Sequence, residues 1–131
     1  MQIRKSIWRS ALLLVVGLFV SSALWSAERP FNEAEFDAAQ RAGKPVLIAV
    51  HADWCPTCRL QEKVLWELLG RKQFAGISVF RVDFDLQKAA LKRFGVRNQS
   101  TLIVFKGKKE VARSIAQTDK DAIAADLAKS L

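Results

Sequence analysis

The chain has 131 residues, 21 basic against 13 acidic, a net charge of +8, two cysteines and an apolar share of one half. That length holds one small domain with little room for a second, and the apolar share is too high for a disordered chain. Two cysteines make neither a disulfide-dense scaffold nor a four-thiolate zinc site.

Residues 1–10 carry Arg4, Lys5 and Arg9 and no acid. An apolar run from Ala11 to Val20 follows, then the small residues Ser21, Ser22 and Ala23. A basic start, a short apolar run and small residues behind it read as a bacterial-type secretory signal. Even stretched to Trp25, the run is shorter than the roughly 20 residues of a spanning helix. Ser21-Ser22-Ala23 fits a small-x-small cleavage site; Ala27 also fits, with the bulky Trp25 at its minus-three position. The competing reading is an uncleaved anchor, a short helix that thins the bilayer with Trp25 at the interface. Residues 1–27 are therefore expected to be a signal peptide or an N-terminal membrane anchor, and residues 28–131 an exported domain. That domain is expected in the periplasm, soluble after cleavage or tethered to the inner membrane by residues 11–25. No twin-arginine pair is present, so export in the unfolded state is expected.

Without the three leader charges, 18 basic and 13 acidic residues remain, a net +5. These basic residues are scattered, apart from Lys106, Lys108 and Lys109 around Gly107, which read as a hairpin tip. No basic stripe interleaved with aromatics appears, so nucleic acid is not expected as a partner.

Asn32 can cap a helix, with Glu35 at the capping-box position; the helix runs through Phe36, Ala39 and Gln40 and stops at Gly43. Pro45 to Ala52 is a near-continuous β-prone run, as for a strand covered on both faces. After Asp53-Trp54-Cys55-Pro56-Thr57-Cys58, residues Leu60, Val64, Leu65 and Leu68 recur at helical spacing as far as Gly70. Ile77 to Asp83 alternates as a second strand, Leu86 to Phe94 is a short helix ended by Gly95, and Thr101 to Lys106 is a third strand. A turn leads into Glu110 to Ile115, and Thr118 caps a last helix carrying Ile123, Leu127 and Leu131. Strands joined by a helical crossover should be parallel with a right-handed connection. The last two form an antiparallel hairpin. The expected fold class is α/β, a mixed four-stranded sheet flanked by helices on both faces. Trp66, Phe36, Phe80, Phe84 and Phe105 read as core.

Cys-x-x-Cys at a strand-to-helix junction is the sharpest signal. Cys55 falls at the first helical residue or its cap, where unpaired N–H groups and the helix dipole favour an anion. A thiolate there forms at lower pH than a free cysteine's ~8.5. Cys58 lies one turn along on the same side, close enough to bridge, and Pro56 suits a helix start. Cys55 is thus the attacking sulfur and Cys58 the resolving one, passing through a mixed disulfide. A purely structural bridge competes, but a loop this small removes little unfolded-state entropy.

Residues Ala52 to Arg59, Phe94 to Arg97, and Thr101 to Lys106 with the following hairpin resemble the thioredoxin family, over roughly Phe31 to Leu131. Ala42 to Val46, and the passage from Ala52-Asp53-Trp54-Cys55 into Glu62-Lys63, are closer to the periplasmic C-terminal domain of the transmembrane thiol:disulfide interchange protein. The resemblance implies a thioredoxin fold and protein-disulfide reductase activity, with Cys55 exposed and Cys58 shielded. The Cys55–Cys58 redox-active disulfide would serve without any further cofactor. It further implies a reductant acting on oxidised envelope proteins or on cytochrome c assembly, resupplied by an upstream membrane or periplasmic thiol donor; a monomer is the default expectation.

Three departures from the family stand out. The family's cis-proline, just before Thr101, is replaced by Ser100. A cis bond before a non-proline residue costs ~2.5–4 kcal/mol, so a trans Gln99–Ser100 bond is expected. In the family this loop faces the cysteines, so Ser100 and Thr101 belong to the active-site environment. Ser100 is either a hydroxyl donor to a thiolate or a plain loop serine. The acid that cytosolic thioredoxins bury on the first strand is Ala49 here. His51, the sole histidine, lies two residues on and on the same strand face. Histidine changes charge near neutrality, so it is a proton partner for a cysteine or a packed strand residue.

Trp54 is read as an apolar collar for substrates or as core, Asp53 and Arg59 as weak influences on the thiolate or as solvated charges, and Thr57 with Pro56 as tuning the dithiol. The competing function is a copper or zinc handling module of Cys55, Cys58 and His51. It requires the imidazole to reach the sulfurs. A redox-silent binding domain is a third reading, disfavoured by retention of both cysteines.

Overall fold

The computed structural model describes residues 28–131; the expected leader, residues 1–27, lies outside the described residues. Nine elements follow in chain order: β1 (Arg29–Pro30), α1 (Glu33–Arg41), β2 (Pro45–His51), α2 (Pro56–Leu69), β3 (Ser78–Asp83), α3 (Lys88–Phe94), β4 (Thr101–Lys106), β5 (Lys109–Ile115) and α4 (Lys120–Ala128). A short 3₁₀ turn, Lys72–Phe74, leads from α2 toward β3.

The strands form one sheet in the order β1-β3-β2-β4-β5. β2 and β3 run parallel, as a helical crossover requires, and β4 is antiparallel to both β2 and β5. The sheet therefore has five strands rather than the expected four. The addition is β1, two residues paired with Phe80 and Arg81 of β3. Too short to show alternation and ending in proline, it occupies an edge, where a missing N–H is tolerated.

The alternation of β2 divides the core. Val46, Ile48 and Val50 face α1 and α3, packing with Phe36, Phe80, Phe94 and Phe105. Leu47 and Ala49 face the other layer, against Leu65 and Leu68 of α2 and Ile123 and Leu127 of α4. Successive residues go to opposite faces and both faces are covered, so the strand reads as continuously apolar. The first layer is aromatic: the rings of Phe36 and Phe94 meet edge-on with centroids 5.2 Å apart.

Local signals explain most element ends. Asn32 Oδ1 accepts from Glu35 N at 3.0 Å, capping α1. Three expectations need correction. α3 begins at Lys88, because Asp83 Oδ1 captures the N–H groups of Asp85 and Leu86 in a turn. The cap of α4 is Asp119, whose Oδ1 accepts from Ala122 N at 2.8 Å, and not Thr118. Trp66 is not core: it is 63% exposed, because the inward stripe of α2 is Cys58, Gln61, Leu65 and Leu68. Phe84 is half-buried, packed against the aromatic layer and the cysteines.

This architecture carries the central strand straight to the dithiol. β2 ends at His51, a four-residue turn follows, and α2 starts on the face opposite the aromatic layer. The β3–α3 turn and the α3–β4 loop end beside it, bringing Asp85 against Trp54 and Ser100 against the cysteines.

Candidate active site at the start of helix α2

Cys55 is the N-cap of α2. Its backbone is extended, its N–H reaches Ala52 O at 3.1 Å, and its sulfur accepts from Cys58 N at 3.1 Å. Pro56 occupies the first turn, where a missing N–H has no partner to lose. A sulfur thus takes the place that a serine or aspartate oxygen usually fills at a cap. An anion there is met by unpaired N–H groups and the positive end of the helix dipole.

Neither cysteine is in a disulfide, and both are buried, 2% and 3% exposed. The expectation of an exposed Cys55 is therefore corrected. Its side chain turns inward to cap the helix and meets Ala52, Cys58 and Phe84. Its neighbours Asp53, Trp54 and Pro56 are exposed, and Thr57 is half-buried. An incoming disulfide must pass between these rim residues.

The two sulfurs are pushed in opposite directions. Burial works against a thiolate at Cys55, but hydrogen bonds from Cys58, Ser100 and the Cys58 and Thr57 backbone outweigh it, and its pKa is lowered. Burial pushes the Cys58 thiol up, and its hydrogen bond with Cys55 adds to this. A sulfur that ionises more readily beside one that holds its proton suits thiol–disulfide exchange.

Ser100 stands over both. Its Oγ is 2.9 Å from Cys58 Sγ and 3.3 Å from Cys55 Sγ, and the residue is 2% exposed. The described peptide bonds are all trans, as expected for Gln99–Ser100. The chain turns here through a left-handed residue instead, with φ of +57° at Ser100. Ser100 N donates to Val50 O, and Ser100 O accepts from Ala116 N, each at 2.9 Å. Thr101, also buried, donates its hydroxyl to Asn98 O at 2.7 Å and braces the loop without reaching the sulfurs.

Gln61 was not anticipated. It is 3% exposed and donates to both Ser100 O (3.2 Å) and Gln117 O (2.8 Å). Its signal was present, since it sits between Cys58 and Leu65 on the buried stripe of α2. A polar residue at an apolar position calls for an internal partner.

His51 is brought to the site's edge, where it pairs with Asp53. Its Nε2 lies 3.3 Å from Asp53 Oδ1, and Asp53 is also bound by Arg81 at 3.1 Å. Arg81 reaches on to Glu62 at 3.4 Å. Nearby Glu28 has its pKa raised, chiefly by burial, partly offset by Arg81. Among the described residues no three His, Cys, Asp or Glu side chains converge to hold a metal. The copper or zinc reading thus loses its third ligand. Arg59 donates to Asp53 O at 3.0 Å, fixing the turn. Trp54 is 57% exposed with Nε1 on Asp85 Oδ2 at 2.8 Å, so it is a rim residue and not core.

Comparison with known proteins agrees with this geometry. The thioredoxin family model matches residues 28–129. The thioredoxin of Alicyclobacillus acidocaldarius is 31% identical over 105 residues, which are 80% of this chain and 99% of that protein. The protein disulfide-isomerase erp38 of Neurospora crassa is 35% identical over 101 residues, covering 75% of this chain and 27% of the isomerase. Among solved structures, Trxlp from Edwardsiella tarda superposes with a TM-score of 0.75 at 44% identity, over 77% of this chain and 98% of the other.

Proposed function

The chain belongs to the thioredoxin family as a thioredoxin-type thiol–disulfide oxidoreductase, and from that premise we propose that it is an exported reductant of cell-envelope proteins. Cys55 attacks a substrate disulfide as a thiolate, one substrate sulfur leaves, and a mixed disulfide forms. Cys58 then attacks Cys55 Sγ and releases the second substrate sulfur as a thiol. The pair ends oxidised and is restored by an upstream membrane or periplasmic thiol donor. The domain works as a monomer in the periplasm, freed by cleavage or held at the inner membrane.

The observation that carries this reading is the Cys55 sulfur capping α2 through Cys58 N, with the Cys58 thiol one turn away. Export is supported by the basic, then apolar, then small-residue order of residues 1–27. Substrate docking is assigned to the exposed Trp54 and Pro56 beside Cys55.

The test is a Cys58→Ser chain expressed with its own leader in a Gram-negative host. Without a resolving thiol, envelope partners should be recovered as mixed disulfides on Cys55 that dissolve on reduction. Recovery of none from the periplasmic fraction would overturn the protein-substrate reading. Retention of the chain in the cytoplasm would overturn export.

A further inference from the structure

We propose that Ser100 is the proton relay of the resolving step, carrying a proton from the Cys58 thiol to the sulfur that leaves Cys55. This deepens the exchange mechanism above and rests on it.

Resolution poses a proton problem. Cys58 must lose a proton to become a nucleophile, and the departing substrate sulfur must gain one. Partners of the Cys58 sulfur are the Cys55 sulfur, the Ser100 hydroxyl and the Ala52 backbone N–H. In the mixed disulfide, Cys55 Sγ is bonded to the substrate and carries no charge. A backbone N–H accepts no proton. The strand position beneath the site, where a carboxylate would serve, is Ala49, and His51 is engaged by Asp53. That leaves the hydroxyl, which accepts and donates at once.

Its placement suits the task. The Oγ bridges the two sulfurs at 2.9 and 3.3 Å, and the leaving sulfur lies one S–S bond, about 2.05 Å, beyond Cys55 Sγ. The step balances without an outside acid. Cys58's proton passes to Ser100 Oγ while the Ser100 proton passes to the substrate sulfur. A Cys55–Cys58 bond forms as the Cys55–substrate bond breaks, and its electron pair goes to the departing sulfur, released as a thiol. The cysteine pair is oxidised by two electrons, the substrate is reduced, and the hydroxyl is regenerated.

The residue is also held where it must be. Left-handed backbone is costly for a side-chained residue and persists only when its surroundings fix it. Ser100 is fixed by Val50 O, Ala116 N and the amide of Gln61, itself anchored on Gln117 O. Gln61 is therefore a positioning residue for the relay.

The experiment uses the reduced chain in single turnover with 2-hydroxyethyl disulfide, an alkyl disulfide whose leaving thiol needs a proton. Acid quenching and intact-mass analysis follow the Cys55 mixed disulfide. The informative variant is Ser100→Gly, which removes the hydroxyl and suits the left-handed backbone; Ser100→Ala removes it and keeps Cβ. Both should form the mixed disulfide and resolve it about 100-fold more slowly than wild type at neutral pH, the scale of a lost proton-transfer group. The deficit should shrink as rising pH ionises Cys58 directly. Wild-type resolution in Ser100→Gly, or a deficit constant across pH, would overturn the relay. So would a slow Ser100→Ala beside a fast Ser100→Gly, which would report backbone strain alone. If wild type and Cys58→Ser form no mixed disulfide at all, the exchange mechanism itself fails.

Discussion

Left-handed backbone occurs at five described residues, and the five divide by place. Gly43 follows α1, Gly95 caps α3 and Gly107 turns the β4–β5 hairpin, with φ between +57° and +70°. Ser100, which touches both sulfurs, and Ala116, whose N–H donates to Ser100 O, have φ of +57° and +54°. In the turns the chain needs only a conformation, and the residue without Cβ adopts it freely. At the site Ser100 keeps a side chain in the same conformation, at a cost of about 1–2 kcal/mol. The difference locates function: conformational ease is set aside where a hydroxyl must touch two sulfurs.

The sharpest way to break this contrast between scaffold and site is Cys55→Ser. Exchange should fall to the uncatalysed background in a disulfide-reduction assay, since a hydroxyl does not replace the thiolate. Serine is itself a favoured N-cap, so the melting temperature should stay close to wild type. Residual turnover would assign the attack to Cys58. A large fall in stability would make Cys55 part of the scaffold.

The converse substitution is Phe36→Ala. Phe36 is 1% exposed, at the centre of the aromatic layer. Its loss should cost about 3–5 kcal/mol in urea unfolding. At temperatures where the variant remains folded, Cys55 alkylation should keep its wild-type pH profile, because the dithiol sits beyond the strand's end. A displaced profile would show that site and scaffold are not separable.

A third expectation concerns pH. Cys55 is held below and Cys58 above the ordinary thiol range, so iodoacetamide should label Cys55 alone under mildly acidic to neutral conditions. Failure to label it would show that the rim closes the site. The linkage to stability has two signs. The Cys55 contribution is present above the unfolded-state value and lost as pH falls through the folded one. The Cys58 contribution is present below the unfolded-state value and lost as pH rises through the folded one. The stability of the reduced form, relative to the oxidised form, should therefore peak near the ordinary thiol value of ~8.5. A monotonic difference would mean that the sulfurs are not split.

How much was legible follows the same division. Periodicity and turn residues marked every helix and four of five strands, because burial on two faces writes itself into β2 and α2. β1 escaped because two residues carry no period. Trp66 misled because an aromatic suggests core, while the neighbouring stripe of Leu65 and Leu68 had already fixed which side of α2 faces inward. At the site, spacing marked Cys55 and Cys58, and the departure from the family marked Ser100. The Gln61 clamp and the turning of His51 toward Asp53 depend on contacts between distant segments, which no local pattern reports.

The smallest effect tests the opening contrast most directly. Ala116 shares the left-handed conformation of Ser100, yet it is exposed and nothing in the structure requires its methyl. Ala116→Gly should relieve the steric cost, less the extra chain entropy of glycine, for a gain of about 0.5–1 kcal/mol. Gly107→Ala should lose about 1 kcal/mol, since the added Cβ would meet Gly43 Cα at 3.5 Å, an ordinary contact, leaving only the backbone term. Each shift should read as a few degrees in thermal melts, with opposite signs. Destabilisation by Ala116→Gly would mean that Ala116, like Ser100, is kept for its side chain, and that the rim of the site extends into the β5–α4 loop.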